Sequence, residues 1–142
     1  MADLQRFLDA QDYTFEVAIS ELTKGQKESH WMWFVFPQLA ALGRSDTARF
    51  FGIADLAEAQ DYLKNETLNR RLKDCARAVV LHRGKSIKFV MGEVDALKLR
   101  SSATLFSRAD ATGETGRLMR DVLGVFYKGQ ECKLTLLALG SP

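Results

Sequence analysis

A chain of 142 residues and 16.0 kDa fits one domain, which we expect to span residues 1–142. With 46% apolar and 27% charged residues, it has the composition of a folded soluble protein, which excludes a fibre or a long disordered chain. The apolar stretches 31–36 and 134–139 are far shorter than the roughly 20 residues of a transmembrane helix, and the N-terminus lacks a secretory signal. We therefore predict a cytoplasmic protein with no membrane partner.

Few established site motifs are present. Cys75 and Cys132 form no CxxC pair and have no neighbouring histidines, so the sequence predicts neither a metal site nor a disulfide. The phosphate-binding, dinucleotide-binding and zinc-protease motifs are absent, and no cofactor is predicted. A net charge of +2 and the lack of a nucleic-acid-binding motif disfavour DNA or RNA as a partner. The sequence indicates no oligomeric state.

Apolar spacing predicts helices over most of the chain. From Leu4 it follows one helical face, with a predicted break at residues 12–14 and an end at Gly25. Asp55, with Glu58 three residues later, is typical of a helix start. The stretch 24–38 fits neither helical nor strand spacing, and we expect it to be extended or irregular.

The second half continues this pattern. A strongly amphipathic helix is predicted from Asn65 or Thr67 to before Gly84, and another from residues 112–115 to Gly129. His82 follows an apolar run, and we expect it to cap the end of a helix. Stretches 85–91 and 133–139 are too short to assign by spacing. The sequence thus predicts an all-α domain with, at most, one or two short extended segments.

Charge is unevenly distributed along the chain. Residues 1–22 contain five acids and one base, whereas residues 70–88 contain seven bases and one acid. Solvated helix faces whose charges neutralise each other explain this pattern, and a phosphate-bearing ligand of the basic segment is the alternative.

Aromatic residues concentrate between positions 31 and 36, which hold both tryptophans. Such rings usually pack in a core. The alternative is an aromatic wall, formed by Trp31 and Trp33, for a planar ligand such as a nucleobase. Polar residues flank the rings, and we assign Lys27, His30 and Gln38 as candidate ligand-binding groups.

A second polar stretch covers residues 92–106. Asp95 and Lys98 are one helical turn apart if a helix begins near Asp95, and Arg100 follows. An Asp cap, an ordinary ion pair and hydroxyls bonded to their own helix explain this pattern structurally. The alternative is a site in which Asp95 acts as a general base or stabilises a cation while Lys98, Arg100, Ser101 and Ser102 bind phosphate or ribose.

These two stretches carry a resemblance to a known family. The motif GxKxSHWMWFVFPQL, from Gly25 to Leu39, and the motif DxxKLRSSxTLF, from Asp95 to Phe106, resemble the bacterial domain-of-unknown-function family 1810. The resemblance implies a small, mainly α-helical cytoplasmic protein and promises no activity. Members are sometimes labelled calpastatin, but this chain lacks the disordered, proline-rich composition of that inhibitor.

A more distant similarity concerns residues 65–98. The order Asn-x-x-Leu, Arg-Leu and Gly-x-x-Asp-x-x-Lys resembles the later half of the NADAR superfamily, whose members cleave N-glycosidic bonds of ADP-ribose-like or nucleotide-derived substrates. This similarity implies that Asp95 stabilises a sugar cation, that His30 protonates the leaving base and that Lys98, Arg100 or Lys27 holds phosphate. The function predicted is binding of a nucleotide or sugar-phosphate, and the reaction considered is hydrolysis of an N-glycosidic bond of an ADP-ribose-like substrate. A non-catalytic ligand-binding or protein-interaction module is the alternative, and a helical scaffold without a small ligand is a third.

Overall fold

Nine α-helices pack together in the computed structural model, which describes residues 3–140, and this range contains no strand. A bridge between Leu39 and Ile53 is its one isolated β-type pairing. The predicted all-α class is confirmed. The helices are α1 (Gln5–Lys24), α2 (Met32–Val35), α3 (Asp46–Phe50), α4 (Leu56–Lys64), α5 (Glu66–Val80), α6 (Ile87–Met91), α7 (Glu93–Ala109), α8 (Glu114–Tyr127) and α9 (Lys133–Ala138).

Helix α7 lies at the centre of the fold. It contacts α4, α6, α8 and α9, while α1 packs against α5 and α5 against α8. Every residue from 101 to 107 is buried, so this half of α7 is surrounded by protein on all sides. Its first turns carry more charged side chains and reach the surface. The core helix therefore presents its N-terminal end to the site described below.

The predicted helix ends are confirmed where side-chain caps specify them. Asp55 accepts a hydrogen bond from the Glu58 amide at 2.9 Å and begins α4. Asn65 accepts one from the Leu68 amide at 3.0 Å and begins α5. Such caps satisfy amide groups that the first helical turn leaves free, so their position in the sequence fixes a helix start.

One local prediction is wrong, and another holds only in part. Helix α1 runs without a break through residues 12–14, because its inner face packs against α5 and is buried on both sides of this segment, at Gln11 and Ala18. Stretch 24–38 is mostly irregular after α1 ends, as expected, but its residues 32–35 form the single turn α2. The two unassigned stretches both contain short helices, α6 and α9.

The acidic and basic regions of the sequence meet in the fold. Helix α1 lies against α5, and Arg71 pairs with Asp12 at 3.0 Å. Lys73 and Arg77 both pair with Glu114 of α8, at 3.2 and 2.5 Å. Part of the basic segment thus neutralises acids of neighbouring helices, as the structural interpretation expects.

Candidate functional site

The loop after α1 begins at Gly25, which has φ = 79° and ends the helix as predicted. A Cβ atom at this position would lie 2.7 Å from Cε1 of His82, so both conformation and space require glycine. The His82 Nε2 lies 2.7 Å from the Leu22 carbonyl oxygen. His82 therefore caps the end of α1, a neighbouring helix, rather than the end of its own helix α5.

Glu21 organises the rest of this loop. Its carboxylate accepts hydrogen bonds from the amides of Glu28 and Ser29, from the Ser29 hydroxyl and from the Trp31 indole, at 2.5–2.9 Å. Burial would raise the pKa of Glu21, but these hydrogen bonds outweigh it and lower the pKa to about 2. One buried carboxylate thus fixes residues 28–31.

Lys27 connects this loop to the start of α7. Its amide donates to the Val90 carbonyl at 2.8 Å, and its ammonium group lies 2.7 Å from Oδ2 of Asp95. The same group donates to the Ser29 carbonyl and lies 4.6 Å from the centre of the Trp31 ring. The Lys27 side chain is only 5% exposed, so the ion pair with Asp95 is mostly shielded from water.

Asp95 also faces a second cation. Lys98 Nζ lies 4.0 Å from Asp95 Oδ1, one helical turn away, and 5.3 Å from the centre of the Trp33 ring. This contact is longer than the contact with Lys27, and the Lys98 side chain is 25% exposed. Lys98 is therefore the cation that can turn towards a ligand without breaking the short ion pair.

A cavity of about 390 Å³ lies over these groups. Its volume falls in the range of small-molecule sites. Among the residues described, none supplies a side-chain cap to the N-terminus of α7, which forms one wall of the cavity. The lining residues are Lys27, His30, Met32, Trp33, Met91, Gly92, Glu93, Val94, Asp95 and Lys98.

Five of the predicted site residues meet at this cavity: Lys27, His30, Trp33, Asp95 and Lys98. They come from the loop, from α2 and from the start of α7. His30 is exposed at the edge, and Trp33 is half-buried. The two motifs singled out in the sequence thus form one surface.

Trp31 and Ser102 lie in the core instead. Trp31 is 1% exposed, and its indole is bonded to Glu21. Ser102 is fully buried, and its hydroxyl has no hydrogen-bond partner in the described part of the chain. Trp31 fits the packing interpretation of its motif, whereas Ser102 is buried without the bond to its own helix that the structural interpretation expects.

Gln38, Arg100 and Ser101 line a different concavity, which we call the large groove, of about 1180 Å³. The Arg100 guanidinium donates to the carbonyls of Gln130 and Glu131, and the Ser101 hydroxyl lies 2.9 Å from that of Thr135. These two side chains join α7 to the chain segment around α9. The large groove shares Val94 and Lys98 with the smaller cavity.

Sequence reasoning missed Glu21, although a signal was present. An acid in the last turn of a helix opposes the helix dipole, and Glu21 stands only four positions before the predicted stop at Gly25. Such a residue needs another partner, which here is the loop. Glu93 and Val94, which also line the cavity, carry no comparable signal.

The cavity offers cations, a carboxylate, an imidazole and an aromatic face. No group of three or more potential metal ligands occurs within residues 3–140. No helix in that range is long and apolar enough to cross a membrane. Chemically, the arrangement suits an anionic ligand with a planar part.

Comparison with known proteins places this geometry in a family. Residues 1–139 match the model of DUF1810, described as a protein of unknown function. The fold is similar to the crystal structure of the conserved hypothetical protein Rv1873 from Mycobacterium tuberculosis, with 41% sequence identity, a TM-score of 0.93 and coverage of 99% of this chain and 98% of that chain. No curated protein matches the chain. The chain therefore belongs to the DUF1810 family.

Proposed function

We propose that the cavity between the loop 25–31 and the start of α7 binds a nucleotide or a sugar-phosphate. The observation that carries this proposal is the mostly buried ion pair of Lys27 and Asp95, with Lys98 and Trp33 beside it on the same wall. Burying charges costs free energy, so a shielded pair at the edge of a cavity is more typical of a site than of packing.

Each group has a place in this binding mode. Lys27 is compensated by Asp95, so Lys98 supplies the freer positive charge and holds the phosphate. The uncapped amides at the N-terminus of α7 favour an anion at the same wall. Trp33 stacks on the planar part, and His30 lies at the open edge, where a leaving group departs.

A second candidate, cleavage of an N-glycosidic bond, is favoured because Asp95 and His30 line the same cavity. In this reaction the bond from the anomeric carbon to the base nitrogen breaks, and the nitrogen takes a proton from His30. The Asp95 carboxylate stabilises the sugar cation and accepts a proton from the attacking water. The similarity of the sequence motifs to the NADAR superfamily supports this candidate.

Thermal unfolding in the presence of nucleotides, ADP-ribose and sugar phosphates tests binding. A ligand at 100 times its dissociation constant stabilises the protein by about 2.7 kcal/mol. We expect Lys98→Ala to abolish most of this stabilisation. Lys64→Ala is the matched control, because Lys64 also pairs with an aspartate three residues earlier, at 3.9 Å, on an open surface. Equal stabilisation of both variants would refute the proposed site.

Product analysis separates binding from turnover. If the protein is a hydrolase, wild-type protein releases free base from the ligand that stabilises it, and Asp95→Asn binds that ligand without releasing base. If wild-type protein binds but releases no product, the chain is a ligand-binding module and the hydrolase candidate is wrong.

A further inference from the structure

The acidic outer face of α1 has no role in the cavity and is not covered by the described part of the chain. Tyr13 is 90% exposed, and Val17, one turn later, is 46% exposed. The acids Asp9 and Glu16 lie on the same exposed face, whereas Asp12 beside them is paired with Arg71. An aromatic and an aliphatic side chain at i and i+4, flanked by acids, form the pattern by which an amphipathic helix docks into a groove.

The large groove is complementary to this face of α1 in its apolar surface and in its charge. Val94, Leu97 and Leu134 line it and are 65%, 63% and 62% exposed, so apolar surface is available along its length. Arg44 and Lys133 are exposed cations at its sides.

Glu131 is the acidic residue that lines the large groove, and it does not neutralise Arg44 and Lys133. Glu131 is held by the Arg108 guanidinium in two hydrogen bonds, at 2.7 and 2.8 Å. The groove therefore presents leucines between free positive charges, while the face of α1 presents Tyr13 and Val17 between negative charges.

We propose that the large groove binds the outer face of α1 from a second copy of this chain. The two surfaces are different parts of the molecule, so the contact is head to tail, and a dimer held by one contact keeps one free α1 face and one free groove. Association then continues beyond a dimer into a ring or an open chain. Opposite charges at the contact make the association weaker at high salt.

Sedimentation velocity over a series of protein concentrations tests this directly. We expect wild-type protein to form species larger than a dimer as concentration rises, and to form fewer of them in high salt. Tyr13→Asp and Leu134→Glu are each expected to be monomeric. Leu81→Glu is the matched control, because Leu81 is 72% exposed and is not part of the large groove.

Mixing the two monomeric variants provides a second test. Tyr13→Asp retains an intact groove and Leu134→Glu retains an intact α1 face, so an equimolar mixture forms one contact and stops at a heterodimer. A wild-type protein that stays monomeric at all concentrations, variants that still associate, or a mixture that stays monomeric would each overturn the proposal. Circular dichroism of each variant shows whether the helices are retained, so loss of folding is distinguished from loss of contact.

Discussion

Two aspartate–lysine pairs with the same spacing have different surroundings in this fold. Asp61 and Lys64 on α4 are 3.9 Å apart, and Asp95 and Lys98 on α7 are 4.0 Å apart. The side chains of the first pair are 47% and 79% exposed, and those of the second 20% and 25%. Helical spacing alone therefore produces the contact, while a third group, Lys27, makes the second pair part of a cavity.

This difference shows how a lined cavity arises in a small helical protein. An isolated i,i+3 pair on a surface contributes little, because water screens it. At α7 the loop 25–31 brings a nearly buried ammonium group to the same carboxylate and excludes water from one side. The loop, rather than the spacing of charges on the helix, distinguishes the two pairs.

The largest expected effect follows from removing the group that shapes the loop. Glu21→Ala deletes the acceptor of four hydrogen bonds and leaves the buried Trp31 indole and three partly buried donors without it. We expect a loss of about 3 kcal/mol in the free energy of unfolding, because unsatisfied buried polar groups carry their full desolvation cost. Urea unfolding measures this. A loss below about 1 kcal/mol would show that the loop keeps its shape without Glu21.

Replacing Lys27 removes the group that distinguishes the Asp95–Lys98 pair from the Asp61–Lys64 pair. Lys27→Met keeps the length of the side chain but leaves Asp95 without its close cation. We expect a loss of about 2 kcal/mol in stability, less than for a fully buried pair because Asp95 is 20% exposed. Chemical unfolding measures the stability of Lys27→Met and of Lys64→Ala under the same conditions. Equal stabilities of the two variants would contradict the expected loss.

Acid should weaken the loop through Glu21. Its pKa is lowered in the folded state from 4.5 to about 2, so the unfolded state binds more protons between these values. The stabilisation is fully present above about pH 4.5 and is lost as the pH falls towards 2, a change on the order of 2 kcal/mol. Glu21→Gln does not titrate there, so the stability difference between wild type and Glu21→Gln should shrink over that window. A constant difference would contradict the assignment of this pKa to Glu21.

The smallest expected effects on stability come from the two lysines of the helical pairs. Lys98→Ala and Lys64→Ala should each change stability by less than about 0.5 kcal/mol, since the lysine–aspartate distance is long in both ion pairs and water reaches both. A double-mutant cycle at each pair checks this. A coupling energy between Asp95 and Lys98 well above about 0.5 kcal/mol would mean that Lys98 stabilises the fold and is not free to bind a ligand.

The sequence predicted those features that depend on local chemistry. The starts of α4 and α5 follow from Asp55 and Asn65, whose side chains cap the next turn, and Gly25 ends α1 because a left-handed residue is needed there. The continuity of α1 and the single turn α2 were not predicted. Tertiary packing decides both, since the break expected at residues 12–14 rested only on local pattern and a four-residue helix has no stability of its own.

The candidate site could be predicted only in part, because tertiary packing brings its residues together. The residues in and around the aromatic stretch supplied Lys27, His30 and Trp33 as candidates, and the second polar stretch supplied Asp95 and Lys98. These five side chains line one cavity. Spacing could not reveal that Lys27 reaches Asp95 or that Trp31 turns into the core towards Glu21. Lys27 and Asp95 are far apart in the sequence, and Trp31 reaches Glu21 across an irregular loop, so periodicity carries no information about either contact.

The central claim is that a phosphate-bearing ligand enters the cavity beside Trp33. The chain has two tryptophans, and their indole N–H resonances can be followed separately by NMR, with Trp33→Phe as the assignment control. Trp33 lines the cavity, whereas the Trp31 indole is held by Glu21 in the core. On titration with the ligand that stabilises the protein, the Trp33 resonance should shift and the Trp31 resonance should stay nearly unchanged. Binding that moves neither resonance, or only that of Trp31, would contradict the proposed site.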